Sequence, residues 1–187
     1  GLGDVYKRQA LLSLGANIGD PLAQLQDAAR SFASWAYAHA SIYHTAPWGV
    51  TDQPEFLNTA LLVRDPTATA EDWLARAQAA EHAAGRTRDH HWGPRTLDVD
   101  IIACWQDDVA STPIVSTDPH LLLPHPHATE RSFVLVPALE MLSAHHPDLP
   151  LTREFRRALA ALLARDPAAA TSIQRDATLH LTPEGAL

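Results

Sequence analysis

Residues 97–105 read LDVDIIACW. The run is apolar and β-branched enough for a buried strand, yet two carboxylates, Asp98 and Asp100, stand where Val or Ile would pack. Side chains alternate along a strand, so the two aspartates share one face while Leu97, Val99 and Ile101 take the other. Working outward, the polar loop RTRDHHWGPRT (86–96) precedes this strand. Before the loop, Trp73, Leu74, Ala77, Ala80 and Ala84 predict one face of a helix that Thr69 and Asp72 open as a capping box and Gly85 stops. FLNTALLVRD (56–65) reads as a strand, TAPWGVTDQPE (45–55) as a long loop, and ASIYH (40–44) as another strand. Leu22, Leu25, Ala29, Phe32 and Ala36 predict a helix through residues 21–38, with Asp20 as its cap and Pro21 at its first position. ALLSLGAN (10–17) is the first strand. The order strand, helix, strand, strand, helix, strand predicts an α+β, ferredoxin-like βαββαβ sandwich.

Beyond residue 105, QDD (106–108) reads as a turn into a short strand near TPIVS (112–116). HLLLPHPHATERSFVLVPALEM (120–141) reads as a Pro-broken connection into a short helix. Thr152 is expected to cap an additional C-terminal helix with Phe155, Leu159, Leu162 and Leu163, and SIQRDATLHL (172–181) to add a strand. Residues 1–8 resemble translated adapter or vector sequence and are set aside from the fold, leaving 9–187 as one domain.

The 187 residues are 46% hydrophobic and 19% charged, the balance of a globular chain. A net charge of −8 argues against a grip on nucleic acid, which takes a basic face. A single cysteine, Cys104, forms no internal disulfide and fits a reducing, cytoplasmic setting; no apolar run is long enough to span a membrane. The only lysine is Lys7, so there is no P-loop lysine. If phosphates are handled here, arginines and a metal must do it.

Two ionised carboxylates on one strand face repel each other, and a hard divalent cation between them relieves the repulsion; Mg²⁺ takes one or two carboxylates and completes its shell with water and phosphate oxygens. Asp-x-Asp alone is a common triplet. Arg86, Arg88 and Arg95 crowd the adjoining loop, and guanidinium groups grip phosphate bidentately. Together they point to phosphoryl-type transfer by clamping and charge neutralisation. His125 and His127 alone make no zinc site, since no third soft ligand lies at suitable spacing.

WGPRTLDVDII (92–102) is similar to the signature of the 6-hydroxymethyl-7,8-dihydropterin pyrophosphokinase family, which moves a pyrophosphoryl group from ATP to a pterin alcohol in folate biosynthesis. SLGANIGD (13–20), YHTAPWGVTDQPEFLN (43–58), EHAAGRTR (81–88) and LLLPHPHATERSFVL (121–135) follow the same family's order, so the resemblance spans roughly residues 9–142. It implies that Asp98 and Asp100 hold two Mg²⁺ ions and that Arg86, Arg88 and Arg95 join them in catalysis. It implies nucleotide contacts from Gln78 and Glu81, three apart on the second predicted helix, triphosphate contacts from His125 and Arg131, and further ATP contacts from the catalytic-loop arginines Arg86 and Arg88 and from Trp92 and Arg95, the pair that closes over ATP and pterin. For the pterin it implies stacking on Phe56 and Phe133, an amide contact from Asn58, a frame from Thr45, Ala46 and Trp48, and closure by Trp92. A flat heterocycle needs such aromatic faces and a few fixed polar partners. The chain departs from the family at His120, where arginine is common, and at Pro126, where an aromatic residue is common. The partners expected are ATP and the pterin, with the protein working as a monomer. A metal-dependent phosphohydrolase on the same carboxylates, or a ferredoxin-like ligand- or RNA-binding module, is the alternative; the first releases inorganic phosphate without pterin and the second makes no AMP.

Overall fold

The computed structural model describes residues 8–47, 52–85 and 97–182. An antiparallel sheet forms its centre. Strand β1 (Arg8–Ala16) lies between β4 (Phe56–Asp65) and β5 (Asp98–Gln106). The other edge of β4 pairs with β2 (Ala36–His39) and β3 (Ile42–Thr45), two short segments that share its length. β6 (Pro113–Ile114) extends the sheet beyond β5, and β9 (Ile173–Asp176) extends it beyond β3. Without these additions the spatial order is last, first, third, second strand of the βαββαβ unit, the ferredoxin-like order. β1 begins at Arg8, one residue inside the stretch set aside on composition, and the Arg8 guanidinium donates to the Ala68 carbonyl at 3.3 Å.

All of β1 after Arg8 is buried, so both faces of the sheet must be covered. Ala10, Leu12 and Leu14 pack with α1 (Pro21–Ser31) and α2 (Ala70–Ala83), whose Leu25, Trp73 and Ala77 reach the same core. Leu11 packs on the other side with α3 (Ser132–His145) and α4 (Pro150–Arg165), through Leu135, Leu142 and Phe155. The C-terminal addition is therefore two helices that complete a third layer, in the order expected, although the helix after the Pro-rich connection is fourteen residues long where a short one was expected. α3 runs fourteen residues straight through Pro137, which merely has no N–H to offer the Phe133 carbonyl.

Helix starts follow their caps. Asp20 Oδ1 accepts the Ala23 N–H at 3.1 Å, and Thr69 and Asp72 exchange two bonds, at 3.1 and 2.7 Å. Gly85 ends α2 with φ +73°, a conformation glycine adopts without strain. Two boundaries differ from the sequence reading. α1 stops at Ser31, not residue 38; the Trp35 and Ala36 N–H groups turn back onto the Phe32 carbonyl at 2.9 Å each, and Ala36 then pairs with Val63. Strand pairing along β4 outweighs the helical spacing, and Trp35 is held instead edge-on to Trp73 with the Arg76 guanidinium over its ring. α4 starts at Pro150, whose ring pre-sets the first helical φ, so Thr152 lies inside the first turn and its hydroxyl donates to the His146 carbonyl at 2.6 Å. A small hairpin, β7 (Ser116–Asp118) with β8 (Leu121–Leu123), stands within the Pro-rich connection.

Candidate active site

Register brings four residues into one row across the sheet. Gly15 of β1 is opposite Asp98 of β5 on one side and Asn58 of β4 on the other, and Asn58 is opposite Tyr43 of β3. Neighbouring strands lie about 4.8 Å apart, so the Asp98 and Asn58 backbones are separated by about 10 Å with only a glycine between them. Alternation puts Asp100 on the same face as Asp98, and both carboxylates are half-buried. The structure thus unites the two aspartates as the LDVDII pattern predicts.

β5 contains one unpaired residue: Ala103 is opposite Leu11 and Ile101 is opposite Leu12, leaving Ile102 as a bulge. Its carbonyl accepts the His125 N–H at 2.8 Å, which ties the Pro-rich connection to the carboxylate strand. A cleft of about 410 Å³ results, lined by Asp98, Asp100, His120, His125, His127 and Arg131 among others. Arg131 stands at the start of α3, with its side chain buried to 7% exposure. A guanidinium at a helix N-terminus gives this end of the cleft a positive character suited to an anion. The two carboxylates give the other side a hard-oxygen character. Among the described residues no three His, Cys, Asp or Glu side chains gather for a metal. The donor set therefore fits a Mg²⁺ ion that draws most of its shell from water and phosphate oxygens, and does not form an all-protein cage.

Burial, then Arg131 and His127, push His125 down from the usual 6.5 to about 4 against the opposing pull of Asp98. The imidazole is neutral at physiological pH. Its Nδ1 accepts the His127 N–H at 3.2 Å, so its own proton sits on Nε2, where it can donate to a phosphate oxygen. The folded-state value lies below the unfolded one, so between about pH 6.5 and 4 the unfolded chain binds more protons and stability falls as pH falls. His125→Gln should show a smaller loss of unfolding free energy between pH 7 and pH 5 than the parent chain in urea titrations.

The second half of the face is built on β3 and β4. Thr45 and Asn58 are buried, and the Thr45 hydroxyl donates to Asn58 Oδ1. Asn58 Nδ2 donates to the Leu14 carbonyl at 3.4 Å. A Cβ on Gly15 would lie 2.6 Å from that Nδ2, so glycine is what admits the Asn58 amide. Phe56, half-buried, is opposite Thr45 and on the face of Asn58. Phe133 is half-buried near the start of α3, 5.8 Å from its ring centre to the Arg131 guanidinium. Ala46 is exposed and its N–H is bonded to the Ser172 carbonyl at 3.0 Å.

Gln78 and Glu81 do not share an environment. Gln78 is exposed, whereas Glu81 is buried and accepts the Val99 N–H at 2.9 Å, holding α2 on the carboxylate strand. Trp48, Arg86, Arg88, Trp92 and Arg95 lie outside the described residues. Three residues of the site escaped the sequence reading: Gly15 itself, His120 as a lining residue of the cleft, and Asn17, whose buried amide donates to Gln53 Oε1 and the Pro54 carbonyl at 3.0 Å each and so anchors the loop before β4. Asn17 stands in SLGANIGD, one of the segments that carry the family resemblance, but its burial and its two partners depend on the fold.

The profile of the 7,8-dihydro-6-hydroxymethylpterin-pyrophosphokinase family matches residues 11–143. A Mycobacterium tuberculosis protein named 2-amino-4-hydroxy-6-hydroxymethyldihydropteridine pyrophosphokinase is 46% identical over 131 residues, covering 69% of this chain and 70% of its own. Proteins of the same name are 40% identical over 159 residues in Methylorubrum extorquens, covering 82% and 93%, and 36% identical over 136 residues in Bacillus subtilis, covering 71% and 77%. Among solved structures, a Plasmodium falciparum HPPK-DHPS protein superposes with a TM-score of 0.60 at 11% identity over 93% of this chain, and an HPPK-DHPS in complex with substrates with 0.59 at 10% identity over 91%. This chain spans about half the length of those two, 50% and 46% respectively, and the likeness is one of fold.

Proposed function

We infer the reaction from one premise: this chain belongs to the 7,8-dihydro-6-hydroxymethylpterin-pyrophosphokinase family. It transfers pyrophosphate from ATP to the hydroxymethyl group of 6-hydroxymethyl-7,8-dihydropterin in folate biosynthesis, releasing AMP. The observation that carries the reading is the row Asp98–Gly15–Asn58–Tyr43. It sets an amide able to read a heterocycle edge and a pair of carboxylates suited to a metal on one face, with Gly15 between them.

In this reading the pterin stacks between Phe56 and Phe133, framed by Thr45, Ala46 and Trp48, and its edge meets the Asn58 amide, which both donates and accepts. The hydroxymethyl group then points from Asn58 toward the carboxylates. Its oxygen attacks the β-phosphorus of ATP; the bond from that phosphorus to the α,β-bridging oxygen breaks; AMP leaves with the oxygen and the hydroxyl proton passes to water. Asp98 and Asp100 would hold two Mg²⁺ ions, which when bound would neutralise charge on the phosphate oxygens. Neutral His125 donates from Nε2 to the triphosphate and Arg131 pairs with it, while Gln78 and Glu81 flank the nucleotide. Arg86, Arg88, Trp92 and Arg95 are assigned from their places in the sequence as the group that closes over both substrates. No side chain becomes covalently attached, so the protein's contribution is alignment and preorganised charge. Both halves of the site come from one polypeptide, which supports action as a monomer, and an ATP co-substrate supports a cytoplasmic location. No helix among the described residues is long and apolar enough to cross a membrane.

Incubation with ATP, Mg²⁺ and hydroxymethyldihydropterin should yield AMP and diphosphorylated pterin in equal amounts. Release of inorganic phosphate without pterin would replace this reading with the phosphohydrolase, and ligand binding without AMP would replace it with the binding module.

A further inference from the structure

We propose that Glu140 is a positioning residue for pterin binding, a strap that sets the gap between helix α3 and strand β3. The proposal rests on the pterin face described above. Glu140 follows Phe133 by seven residues on α3, two helical turns along the same side. Its carboxylate accepts the Ser41 N–H at 3.1 Å on each oxygen, the Ser41 hydroxyl at 2.7 Å and the Tyr43 hydroxyl at 2.7 Å. Burial and this neighbouring carboxylate both push the Tyr43 phenol up, so it stays a donor.

Tyr43 is the outer member of the cross-strand row, opposite Asn58 and two residues from Thr45. The strap therefore joins the helix that presents Phe133 to the strand whose residues hold the Asn58 amide in place. Charge-assisted bonds of this kind are directional, whereas the apolar layer beneath α3 resists separation but allows sliding. Other anchors of α3 lie away from the pterin face: Arg156 reaches Ser143 at 3.2 Å on the α4 side, the Tyr37 hydroxyl meets His146 at the far end of the helix at 2.8 Å, and the connection before the helix is held by the His125–Ile102 bond. The nucleotide half of the cleft is thus tied to β5 independently of Glu140. Because Glu140 is exposed, its bonds contribute little to global stability, and their effect should fall on the width of the stacking slot.

The test is calorimetric titration of Glu140→Ala, Glu140→Gln and Tyr43→Phe in the full-length chain, with hydroxymethyldihydropterin added over a saturating non-hydrolysable ATP analogue and with the analogue alone. Glu140→Ala should weaken pterin binding by about tenfold or more while analogue affinity stays within about twofold, the size of effect expected from a displaced positioning group. Glu140→Gln, which keeps an acceptor for only one of its two partners, should fall between. Adding Tyr43→Phe to Glu140→Ala should cost less than the sum of the two, since both remove the Glu140–Tyr43 bond. Unchanged pterin affinity in Glu140→Ala, or equal losses for both ligands tracking a lowered melting temperature, overturns the strap. A parent chain that makes no AMP and binds no pterin overturns the functional reading, and the strap with it.

Discussion

Asp98→Asn and Asp100→Asn should each lower turnover by roughly a thousandfold or more at saturating Mg²⁺, the scale of losing one group preorganised for transition-state charge, while leaving the fold intact. Both carboxylates are half-buried on one strand face, and the asparagine side chain matches their shape. What changes is charge. An amide neither neutralises a divalent cation nor compensates the positive end of the cleft at Arg131. In the ligand-free protein the substitution removes a repulsion between neighbours, so the melting temperature holds or rises slightly. Single-turnover AMP formation beside a magnesium titration separates the outcomes. Near-normal turnover in either variant at saturating Mg²⁺ would sink the metal assignment, and a collapse in melting temperature would show the aspartates to be structural.

Gly15→Ala should weaken pterin binding strongly while leaving magnesium binding as it is. The added Cβ lies 2.6 Å from Asn58 Nδ2, closer than any carbon and amide nitrogen tolerate. Backbone on both sides of Gly15 is locked in the sheet, so the Asn58 amide has to swing away and the bonds from Thr45 and to Leu14 go with it. A site built to hydrogen-bond a heterocycle then loses its partner, and pterin affinity should drop about a hundredfold or more. The stability cost is confined to side-chain bonds and should be on the order of 1–3 kcal/mol. Magnesium and ATP-analogue titrations should match the parent chain. An undiminished pterin affinity would show that Asn58 does not read the substrate.

The sequence carried more of the elements than of the site. Capping boxes at Thr69 and the stop at Gly85 are local chemistry, and both appear where the residues demand them. The end of α1 was illegible because Phe32 and Ala36 continue a helical spacing, while the deciding interaction is the pairing of Ala36 with Val63 on β4. The Thr152 cap failed for a simpler reason: Pro150 is the stronger start. In the site, Asp98 and Asp100 declared themselves by breaking an apolar run. Gly15 did not, since its purpose is to make room for a residue on another strand, and that depends on register. Glu140 is an exposed glutamate on a helix, a pattern that usually signals nothing. Glu81 was legible as a residue of interest, but its bond to the Val99 N–H emerged only from the packing of α2 against β5.

The row through Gly15 also bears on refolding. Its four members come from four strands, and the pairing of β5 with β1 that adds Asp98 is the most distant in sequence. Such non-local pairings close large loops and form slowly. A chain that has assembled β1, β3 and β4 already owns Asn58 and Tyr43, yet lacks the carboxylate strand and the His125 connection fastened to it. Nucleotide bound as proposed would therefore draw its stabilising effect from the complete sheet alone, shifting the whole unfolding equilibrium by mass action rather than shielding one corner of the molecule.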